Sequence, residues 1–186
     1  MRKKYFTAAA GFVLCALAFC APSQAVNNAD LSDFLSRKGV VKVYVDAIKD
    51  SSKDKKVDAA DLKKEVEDAL AKRKSIRFEV LPARDQADIA IEGDVSEFFW
   101  TDSDPVDMLI GLGGTAMDAA TRENYARMRA LIRVIDVKGG KTLWEDRVTA
   151  TITSKTMTAD QSVTLINEDM AKVLIREAFG KKRDRR

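Results

Sequence analysis

The sequence predicts an α+β fold: a mixed or antiparallel sheet with two helices packed on one face, in the order β-α-β-β-insertion-β-β-α. Three observations predict it. Apolar and polar residues alternate along several segments, the period of strands with one buried face. Two other segments carry apolar residues at helical spacing behind N-terminal capping signals. A Lys-Gly-Gly turn, Lys138-Gly139-Gly140, separates two of the alternating segments, as a hairpin requires.

Taken in order, Ala29 to Arg37 reads as a short helix with Leu31, Phe34 and Leu35 on one side. Val40 to Ile48 reads as a strand, Val41, Val43 and Val45 alternating with Lys42, Tyr44 and Asp46. Lys49 to Lys56 is polar and without period, and is expected to be a loop. A helix follows, capped by Asp58, with Val57 placed to pack on Leu62 and with Leu62, Val66, Ala69 and Leu70 as its stripe. Lys72, Arg73 and Lys74 are expected to complement the negative end of its dipole. Ile76 to Leu81 is a short strand ended by Pro82. Ala87 to Trp100 is a longer one, with Ile89, Ile91, Val95 and Phe99 expected on one face and Glu92, Asp94 and Ser96 on the other. Gly93 lies among the inward positions and marks a bulge or a close approach.

After an insertion, Tyr125 to Val137 points Ala126, Met128, Ala130, Ile132 and Val134 inward and Arg127, Arg129 and Arg133 outward. Leu143 to Thr153 returns with Trp144, Val148, Ala150 and Ile152 inward. The last element is a helix opened by the capping box Thr158-Ala159-Asp160-Gln161, with Val163, Ile166, Met170, Val173 and Leu174 as its stripe and Gly180 as a C′ stop. The outer face of the sheet sets acids from one strand beside arginines from another, the pattern of a solvated surface.

Residues 1–25 read as a secretory signal. Arg2, Lys3 and Lys4 precede an apolar stretch from Tyr5 to Ala21, and Ser23-Gln24-Ala25 offers small residues at the −3 and −1 positions. The expected organisation is thus a cleaved signal over 1–25 and one envelope domain over 26–186, with an insertion at 101–124 and a basic tail at 181–186. A second reading of the leader is Leu17-Ala18-Phe19-Cys20 as a lipid-attachment site, in which Phe19 stands where a small residue is wanted. Cleavage before Val26 removes both cysteines, so the mature chain has no disulfide framework and relies on its core.

Charge and composition exclude several functions. The chain has 32 Lys+Arg against 29 Asp+Glu, and loss of Arg2, Lys3 and Lys4 brings the mature form to neutrality. A general nucleic-acid binder carries a basic excess, so no nucleic-acid partner is expected. Histidine is absent. With cysteine lost as well, the commonest general base, the usual zinc ligands and the thiol nucleophile are missing. No carboxylate, lysine or tyrosine pair stands out by spacing. The expectation is a non-enzymatic protein with no catalytic, cofactor-binding or metal-binding residues; a carboxylate enzyme is a distant third reading.

Two stretches carry a resemblance. One is Ala87-Asp88-Ile89-Ala90-Ile91-Glu92-Gly93, an alanine-aspartate pair followed by a strand and a glycine. The other is the hairpin from Arg133 through Asp136 and Gly139-Gly140 to Leu143-Trp144, followed by an amphipathic helix. Over residues 40–179 the chain resembles a group of bacterial envelope accessory proteins and lipoproteins, among them the small lipopolysaccharide-assembly lipoproteins and the N-terminal domain of curli-secretion-type lipoproteins. The resemblance implies a non-catalytic role in building the envelope or in transport across it, exercised by binding a protein, glycan or lipid, and implies no binding residue by position. Many of the group are lipid-anchored. It places the protein in the periplasm or on the outer side of the envelope, with peripheral contact to the outer membrane. The alternative is a small-molecule or lipid carrier with a cavity between sheet and helices.

The insertion is the most unusual segment. After Asp102-Ser103-Asp104-Pro105 it runs without charge from Met108 to Met117. Loops beyond about 12–15 residues are uncommon unless functional or disordered. Met108, Leu109, Ile110, Leu112 and Met117 are the candidate partner-binding residues, as an apolar flap; burial of the run against the sheet is the competing reading. Gly111-Leu112-Gly113-Gly114 lacks the Lys-Ser/Thr of a phosphate loop. Asp102, Asp104 and Asp107 lack the glycine and closing glutamate of a calcium loop. The tail Lys181-Lys182-Arg183-Asp184-Arg185-Arg186 is expected to be solvated, with weak, salt-sensitive attraction to phosphates.

Overall fold

A computed structural model of the chain describes residues 28–53, 56–101 and 124–180. The leader, the insertion and the basic tail lie outside the described residues. The described elements are helix α1 (Asn28–Ser36), strands β1 (Val40–Val45) and β2 (Lys49–Asp50), helix α2 (Ala59–Ala71), and strands β3 (Arg77–Val80), β4 (Ile89–Thr101), β5 (Asn124–Asp136) and β6 (Thr142–Ser154). Helix α3 (Ala159–Phe179) ends them. The fold is α+β.

The sheet has six strands in the order β3-β1-β4-β5-β6, with β2 beside β4. It is mixed. Strand β1 lies parallel to both β3 and β4, whereas β4-β5 and β5-β6 are antiparallel. A parallel pair needs a long crossover, which α2 supplies between β1 and β3. The β5-β6 turn is tight: the Asp136 amide donates to the Lys141 carbonyl at 2.8 Å, and Gly140 takes φ +64°, a conformation that favours glycine.

The alternation predicted for the strands is the observed burial. Ile91 is 0%, Ile132 1% and Val148 2% exposed, and Val66 of α2 and Met170 of α3 are fully buried in the same core. Asp58 caps α2 by accepting from the amides of Ala60 and Asp61, and Val57 and Leu62 are both buried. The capping box of Thr158 and Gln161 closes in both directions.

Several expectations are corrected. The segment expected as a loop from Lys49 contains β2, which pairs Lys49 with Asp94 and Asp50 with Val95. The chain leaves β1 at Val45, tucks Ile48 into the core and rejoins the sheet, and two residues are too few for a period to register. The Asp50 carboxylate accepts from the amides of Ser52 and Val57, tying this excursion to the start of α2.

In β4 the register shifts between Val95 and Glu97, leaving Ser96 as the irregularity. A bulge inverts every side chain beyond it. Phe98, 7% exposed, therefore points inward, and Phe99, expected inward, is 38% exposed. Gly93 is a close approach: a Cβ there would stand 3.1 Å from Ile132 Cδ1 and 3.2 Å from Ile48 Cγ2. Gly180 is the C-cap of α3 in an extended conformation, φ −67°, and not a left-handed C′ residue.

Candidate functional site

On the outer face of the sheet several charges are paired, while one Asp94 carboxylate oxygen is buried with no hydrogen-bond partner among the described residues. Arg84 meets Asp46 at 2.7 Å and Glu92 at 2.8 Å, Arg129 meets Glu97 at 3.0 Å, Arg127 bonds the same Glu97, and Arg133 bonds Glu145. Hydrogen bonding to Glu92 raises Arg84 above its ordinary value, as Glu97 does for Arg127 and Glu145 for Arg133. Exposed pairs of this kind contribute about 0–1 kcal/mol each. These carboxylates are engaged by guanidinium groups and are poorly suited to act as bases. Among the described residues, no three His, Cys, Asp or Glu side chains are grouped to hold a metal ion.

At one end of the sheet β4 and β5 stay paired to Thr101 and Tyr125, and β5 and β6 to Asn124 and Ser154. This is the root from which the insertion leaves and to which it returns. Exposed Phe99 packs against Tyr125 there, ring centroids 6.3 Å apart. The Asn124 side-chain amide donates to the Met157 carbonyl, pinning the root to the segment before α3. Beside it, the Trp100 indole N–H is buried with no hydrogen-bond partner among the described residues. The sequence candidates Met108, Leu109, Ile110, Leu112 and Met117, with the aspartates at 102, 104 and 107 and the glycines at 111, 113 and 114, lie outside the described residues. The aromatic root was missed because a regular alternation put Phe99 in the core. Its pairing with Tyr125 depends on the bulge.

Clefts open on the described surface. One, of about 320 Å³, lies on the polar face between Asp46, Lys49, Glu92, Asp94, Leu131 and Arg133. Another, of about 430 Å³, runs between α2 and α3. It is bordered by Arg73, expected to serve the end of its own helix. Arg73 instead donates to the carbonyls of Ile175, at 3.0 Å, and Phe179 at the end of α3, and burial lowers its pKa from the ordinary value. No spacing in the sequence announces a contact between residues so far apart. The space between sheet and helices, where the carrier reading put its cavity, holds the buried side chains of the core, Val66, Ile132 and Met170 among them. No described helix is long and apolar enough to cross a membrane.

No protein-family model matches the chain, and no curated protein matches it. Solved structures do. A PelC dodecamer from Paraburkholderia phytofirmans is 21% identical, with 74% of this chain and 88% of that chain covered and a TM-score of 0.44. A minor lipoprotein from Acinetobacter baumannii is 13% identical, with 73% and 90% covered and a TM-score of 0.40. A lipoprotein from Neisseria meningitidis, GNA1162, is 11% identical, with 72% and 98% covered and a TM-score of 0.38.

Proposed function

We propose that this chain is a non-enzymatic envelope protein, exported on residues 1–25 and released before Val26, that serves envelope assembly or transport by binding a partner. The observation that carries the reading is the root of the insertion. The β4-β5 ladder is complete to Thr101 and Tyr125, so the hairpin could be closed by a connection of about 2–5 residues. In its place the sequence inserts a segment with an uncharged, methionine- and glycine-containing run, and the root it leaves from carries exposed Phe99 against half-buried Tyr125. An adaptable apolar run joined to a root that exposes Phe99 suits a protein partner whose binding covers them. The paired charges of the polar face and the lack of histidine favour binding over catalysis.

Replacing residues 106–117 by a short Gly/Ser linker tests the assignment. The expected result is an unchanged thermal midpoint and the loss of one dominant protein from cross-linked envelope pull-downs. A collapsed midpoint would place the run in the core and remove the assignment. Retention of the partner would move the binding surface elsewhere.

A further inference from the structure

Helices α2 and α3 lie side by side with both C-terminal ends at the same edge of the molecule, and the groove of about 430 Å³ opens between them. Its volume is within the range of about 300–1,000 Å³ common to ligand sites. The floor is apolar: Ala69, Ala171 and Ile175 line it, and the two alanines leave room that larger side chains would fill.

The charges along the groove are graded. Glu65 and Glu168 line it nearer the helix beginnings, and Lys72, Arg73 and Arg176 nearer the ends. Glu168 is held by Lys172 at 3.5 Å, and Arg176 meets Glu177 at 3.2 Å. Lys72 has no ion pair among the described residues, and Arg73 bonds carbonyls and the Ser75 hydroxyl but no carboxylate. One end of an apolar trough therefore carries two cations whose counter-charge is not a described side chain. The α3 carbonyls at Arg73 offset part of that charge, as the negative pole of a helix does.

We propose that this groove binds the single chain of an anionic amphiphile, with its tail over Ala69, Ala171 and Ile175 and its acidic head at Lys72 and Arg73. A bilayer surface fits less well, because the acidic side chains of Glu65 and Glu168 line the same groove as the apolar residues and an anionic membrane would meet them too.

Dodecyl phosphate, kept below its micelle-forming concentration, is the probe, titrated calorimetrically into the mature chain. Saturable one-to-one binding is expected, with inorganic phosphate and dodecyl maltoside binding much more weakly. Lys72→Gln, an exposed change that leaves folding intact, should weaken binding about fivefold, the effect of about one lysine at an anionic head. Ala69→Leu should abolish saturable binding by filling the trough, with its fold checked by circular dichroism. The variant shortened at 106–117 should bind dodecyl phosphate normally, which separates this site from the partner surface proposed above. Equal binding by the wild type and Lys72→Gln would overturn the proposal. So would equal binding of inorganic phosphate, or flotation with phosphatidylglycerol vesicles without binding of the monomeric probe. A dimer dissolved by Ala69→Leu, in a protein that ignores the amphiphile, would assign the groove to a second copy and overturn it as well.

Discussion

The Asp88 carboxylate accepts from the Lys38 ammonium at 2.8 Å and from the Lys42 amide at 3.0 Å. Its backbone completes the junction: the amide donates to the Lys42 carbonyl, and the carbonyl accepts from Val137. One residue thus links the starts of β1 and β4 to the end of β5, which gives a structural reason for the alanine-aspartate pair before the strand. Ala87 beside it is 1% exposed. Burial alone would raise the Asp88 pKa. The Lys38 hydrogen bond, the Lys42 amide and the charges of Lys38 and Lys138 together outweigh it and hold the carboxyl below the ordinary value. A carboxyl depressed in the folded state adds stability that is complete above its unfolded pKa, about 3.9, and is lost as pH falls through the folded value. Asp88→Asn should therefore lower stability at pH 7 by about 1–3 kcal/mol. The deficit should begin to shrink as pH falls below about 3.9, where the unfolded carboxyl takes up its proton, and should vanish below the folded value. Urea titrations at pH 7 and pH 3 check this, and an equal deficit at both would show that the charge is not what matters.

At the scale of elements, capping signals and stripes placed α2 and α3 correctly, and both helices begin where their caps predict. Their mutual docking is a separate matter. It uses Arg73, whose guanidinium reaches the last carbonyls of α3, and Asn167, whose amide reaches the Asp58 carbonyl at 3.5 Å. Unsatisfied carbonyls at a helix end need donors, and here a neighbouring helix provides one. Arg73→Met keeps the apolar stem and removes the donors, so it should cost about 1–2 kcal/mol. It should also speed amide exchange in the last turn of α3 ahead of the rest of the helix. Uniform acceleration along α3 would mean that Arg73 stabilises the whole fold without tying down that end. In β4, the shift at Ser96 exchanges Phe98 for Phe99 at the core face, and it is the one place where strand parity misled.

At the scale of the whole molecule, a single core joins the inner face of the sheet, with β4 its middle strand, to the helices. Ile132 is 1% exposed, so Ile132→Ala should cost about 2–5 kcal/mol in a denaturant titration. A loss below about 0.5 kcal/mol, typical of surface changes, would invert the assigned face. Strand β6 is a long edge, and exposed Asp146, opposite Ile132, interrupts its inward row. An inward charge of this kind discourages pairing with another chain.

Local pattern was enough for the α+β class, the order of the long elements, the caps of α2 and α3, the hairpin at Gly140 and the core residues of β5 and most of β6. Each of these depends on neighbours within a few positions, where side-chain period and turn chemistry act directly. Only the tertiary structure decided the parallel placement of β1 between β3 and β4, the pairing of β2, and the outward turn of Phe99. It alone decided the reach of Arg73 to α3 and the groove beside it. Those features join residues from about 37 to 106 positions apart, or turn on one extra residue in a ladder, and no local pattern encodes a distance that only packing sets.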